Sequence, residues 1–71
     1  MRRAIIEALR AKYEAEIAHA DATANIYLEN SVGIGEHPQH IEEIDKQIQK
    51  IADAQEKLRV IEDFQPERSI L

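Results

Sequence analysis

The sequence predicts an all-α fold, an antiparallel two-helix hairpin that dimerises into a four-helix bundle. Three observations predict it. Both glycines and the first proline fall between residues 33 and 38, and long stretches without Gly or Pro lie on either side. Those stretches are rich in Ala, Ile, Leu, Glu, Lys, Gln and Arg, mostly good helix formers. Their apolar residues recur at helical spacing. The hairpin is expected over residues 1–65, with helix 1 over about 2–29, a loop over 30–37 and helix 2 over about 38–64. Residues 66–71 form a C-terminal tail. Each helix would be about 40 Å long at 1.5 Å per residue. Helices of matched length joined by a short loop favour antiparallel pairing.

Helix 1 carries two stripes. The large one runs Ile6, Leu9, Tyr13, Ile17, Ala20, Ala24 and Leu28. Ile6, Ile17 and Leu28 recur every eleven residues, a spacing that favours nearly straight or slightly right-handed packing. On the opposite side lie Ala4, Ala8, Ala11, Ala15, Ala18 and Ala22, in alternating steps of four and three. As a second interface, this alanine face would let another backbone approach closely. As a surface, it would serve helix propensity alone. The sequence leaves both readings open.

The loop chemistry suits a reversal of the chain. Asn30 tolerates the left-handed conformation that ends helices. Gly33 and Gly35 give backbone freedom around Ile34, which would tuck under the hairpin end. Pro38 suits the first position of helix 2, where its missing N–H costs nothing. His37 would then be the N-cap.

In helix 2, Ile41, Ile44, Ile48, Ile51 and Leu58 follow steps of three and four, with Gln55 at the one polar seam position. This is a coiled-coil seam, unless Gln55 lies at its edge and Ala54 takes the inward place. Glu42, Glu43 and Asp45 near the start, and Lys57 and Arg59 toward the end, agree with the helix dipole. Glu42–Lys46 and Asp53–Lys57 are i,i+4 pairs in the favourable order. Pro66 stops the helix.

Seventy-one residues make one small domain, and a lone hairpin of that size is under-packed. The expected remedy is a second copy: a homodimer, with a tetramer as the next closed assembly. The expected interface is Ile6, Leu9, Tyr13 and Ile17 of helix 1 with the isoleucines and Leu58 of helix 2. An obligate helix from another protein is the alternative. The chain has no cysteine, so disulfides are excluded and a reducing compartment, the cytoplasm, suits it. Fourteen acids against nine scattered bases give a net charge of −5, which speaks against nucleic acid as a partner. No apolar run approaches the roughly 20 residues of a membrane span, and Arg2-Arg3 is not followed by the apolar core of a secretory signal.

Catalytic chemistry is missing from the pattern. Ser31, Ser69 and Thr23 have no base at a recognisable spacing, and Gly33-Ile34-Gly35 lacks the lysine of a phosphate loop. The expectation is no enzyme and no cofactor. Two clusters are weak metal candidates. Glu16-Ile-Ala-His19 has the Glu-x-x-His spacing of carboxylate-bridged di-metal bundles, yet His19 projects roughly 120° from the large stripe. Glu36, His37, His40 and Glu43 gather imidazoles and carboxylates at the start of helix 2, where the same groups also satisfy free N–H donors.

The run Ile26-Tyr27-Leu28-Glu29-Asn30, then Val32-Gly33-Ile34-Gly35-Glu36-His37, Glu42-Glu43-Ile44-Asp45 and Glu56-Lys57-Leu58, resembles small acidic proteins of marine tailed phages, the T4-like cyanophages among them. The similarity covers about residues 12–64, and its most specific part is Gly-Ile-Gly-Glu-His after Tyr-Leu. It implies a phage origin and a host-cytoplasm setting, and transfers no activity. The functional expectation is a non-enzymatic, self-associating interaction module, as a phage product acting on a host protein. A component of a phage particle or its assembly, and a metal-binding helical bundle, are the alternatives.

Overall fold

A computed structural model describes residues 1–30 and 39–64. Helix α1 spans Arg2–Asn30 and helix α2 spans Gln39–Ile61, followed by a short 3-10 turn at Glu62–Phe64. The two helices pack antiparallel as a hairpin. The predicted loop residues Gly33, Ile34, Gly35, His37 and Pro38, and the tail after Gln65, lie outside the described residues. Among the described residues, no helix is long and apolar enough to cross a membrane.

The seam between the helices is narrow and built largely from small residues. Ala20, Ala24 and Ala54 are buried in it, and Ile6 and Ile61 are buried toward its open end. Leu9, Tyr13 and Ile17 from α1 and Ile44, Ile51 and Leu58 from α2 are half-buried. With an alanine at the contact, two helix axes come to the close end of the usual 8–10 Å spacing. The alanines used are not the opposite-face series: Ala4, Ala8, Ala11, Ala15, Ala18 and Ala22 are all exposed in the single chain.

Burial follows a seven-residue repeat. Ile6, Tyr13, Ala20 and Tyr27 on α1 and His40, Gln47, Ala54 and Ile61 on α2 are the inward or half-inward line, the period of a coiled-coil seam. The eleven-residue line Ile6–Ile17–Leu28 therefore drifts outward along α1. Leu28 is exposed, and Tyr27 takes the inward place instead. Its ring meets His40 edge-to-face, centroids 5.6 Å apart. This contact fixes the register at the loop end and brings Ala20 level with Gln47.

The same rotation decides the fate of the two glutamines. Gln55, the predicted polar seam residue, is exposed and Ala54 lies inside. The polar residue in the seam is Gln47, 6 % exposed, with its Oε1 lacking a hydrogen-bond partner. Placing Gln47 against Ala20 leaves room for its side chain at the cost of desolvating an amide.

At the open end the start of α1 is tied to the 3-10 turn that follows α2. The Arg2 guanidinium donates from Nη2 (2.9 Å) and Nε (3.2 Å) to the carbonyl oxygen of Phe64. A cation at the first turn of α1 opposes that helix's own dipole. Antiparallel packing sets it beside the C-terminal end of α2, where free carbonyls and a negative dipole end accept it.

Candidate functional site

A two-helix seam has two flanks, and here they differ in chemistry. One flank is an open groove of about 570 Å³ lined by Lys12, Ala15, Glu16 and His19 of α1 and by Lys50, Asp53 and Lys57 of α2. Lys12 Nζ and Glu16 Oε2 form an ion pair at 2.7 Å. That hydrogen bond holds the Glu16 carboxyl below the usual carboxylate range and raises the Lys12 ammonium above its ordinary value. Tyr13 lies beneath two ammonium groups, Lys57 at 5.5 Å and Lys12 at 5.6 Å from its ring centroid. Gln49 donates to Asp53 at 2.9 Å. Charges facing each other across a shallow, open groove remain hydrated, so this flank is satisfied as it stands.

The groove contains Glu16 and His19, the Glu-x-x-His pair. Glu16 is committed to Lys12, and His19 is exposed and lends its backbone carbonyl to the Thr23 hydroxyl at 2.9 Å. Three lysine ammonium groups lining the groove oppose a bound cation. Among the described residues, no group of three or more His, Asp or Glu side chains is placed to hold a metal ion. Of the second cluster, His40 packs on Tyr27 and Glu43 pairs with Lys46 at 3.3 Å. His37 lies outside the described residues.

The other flank is more apolar, and among the described residues its ion pair is that of Glu56 with Arg59, which stands at the same wheel angle as Ile41. At 100° per residue, the side of α2 turned away from the lysine groove carries Ile41, Ile48 and Gln55, beside the half-buried Ile44, Ile51 and Leu58. Ile41 is 75 % exposed and Ile48 56 %. The neighbouring side of α1 adds the half-buried Ile17 and the exposed Leu28. The sequence-predicted helix 2 seam is therefore split. Its inner edge faces α1, and its outer edge faces solvent. The remaining exposed apolar residues of the α1 body, Ile5 and Ile26, sit far apart on the lysine side, as isolated surface residues commonly do.

Gln47 and the Arg2–Phe64 tie were not singled out by sequence reasoning. Gln47 falls seven residues from both His40 and Ala54, so the signal was the heptad of the weakly apolar line rather than of the isoleucines. Comparison with known protein families, with curated proteins and with solved structures finds no match.

Proposed function

We propose that this chain is a non-enzymatic, self-associating helical interaction module whose working surface is the outer edge of α2, and that two copies form a homodimer of four helices. The observation that carries this reading is the exposure of Ile41 and Ile48 on a stripe whose inner neighbours Ile44 and Ile51 are half-covered by α1. Covering an isoleucine fully is worth about 1.5–3 kcal/mol, and the hairpin alone leaves that unrealised.

The resemblance to cyanophage proteins adds a setting, a host cytoplasm, in which the assembled module would act on a host protein.

The test is absolute molar mass by light scattering over a dilution series. A species of twice the 8.1 kDa chain mass, dissociating only on dilution, is the expected result. A monomer at every concentration would overturn self-association and hand the isoleucine edge to a different protein.

A further inference from the structure

We draw no further inference here: the strongest candidate, the exposed outer edge of α2 around Ile41 and Ile48, belongs to the surface already described, and nothing in the structure shows what covers it or in which direction.

Discussion

The two flanks of the hairpin seam start from the same backbone geometry and end in opposite states. On one, Lys12 pairs with Glu16, Gln49 donates to Asp53, and Lys12 and Lys57 lie over the Tyr13 ring. On the other, Ile41 and Ile48 have only water to face. Two helices can bury one strip of each other, and α2 has an apolar arc wider than one strip. Its most exposed part, Ile41 and Ile48, lies on one side. That asymmetry separates a hairpin that is merely thin from one with a surface prepared for a neighbour.

The comparison is broken most severely by opening the seam that both flanks share. Ile61→Ala removes a buried side chain at the open end and should cost about 2–4 kcal/mol, read as a lowered urea midpoint of the helical signal. For so small a domain that is a large part of its stability, and loss of the seam would take both flanks with it. An unchanged midpoint would mean that the seam does not hold the fold.

Exchanging the two glutamines for leucine sharpens the contrast. Gln47→Leu removes a buried amide whose Oε1 has no partner and should raise stability by about 1–2 kcal/mol with no change in association. Gln55→Leu lies on the outer edge of α2 and should tighten the dimer instead, seen as a lower dissociation concentration. If Gln47→Leu is destabilising, its side chain makes a contribution in the seam that its geometry does not reveal.

Arg2→Ala tests the tie at the open end and should cost about 0.5–1.5 kcal/mol, the range of one hydrogen-bonded group. Fraying should concentrate near Phe64, measurable as faster amide exchange there than in the parent.

The smallest effect is expected on the lysine flank. Glu16 has a lowered pKa, so its contribution is complete above 4.5 and is lost as pH falls through the folded value. Lys12 has a raised pKa, so its contribution is complete below 10.5 and is lost as pH rises past the folded value. Between those limits the pair is intact, but both groups are in water and screened. Glu16→Gln should leave the thermal midpoint unchanged within error near neutrality. A clear drop would show that the lysine flank carries stability after all.

The two helices were legible because Gly33, Gly35 and Pro38 are the only breakers between two long runs of helix formers, whereas the α-helix of α2 ends at Ile61 rather than near 64, in a 3-10 turn. The large stripe of helix 1 was legible as far as Ala24. Leu28 was misplaced because an eleven-residue line cannot stay in a seam that repeats every seven. The phase of helix 2 was the harder case. Hydrophobicity points at the isoleucines, whereas one neighbour packing closely against Ala20 and Ala24 selects the line of His40, Gln47 and Ala54. Sequence reports the whole apolar arc of a helix and not how many neighbours share it. That is why the candidate interface could be named while its division into inner and outer edges could not.

The most direct test places one charge on each flank and weighs the result. Light scattering of Ile48→Asp and of Ile26→Asp, both exposed in the single chain, compares the outer edge of α2 with an isolated apolar residue elsewhere. Ile48→Asp should be a monomer of the 8.1 kDa chain mass at concentrations where the parent and Ile26→Asp remain at twice that mass. An Ile48→Asp protein that still matches the parent's dimeric mass would contradict the account, because the isoleucine edge would then not be the surface that a second copy covers.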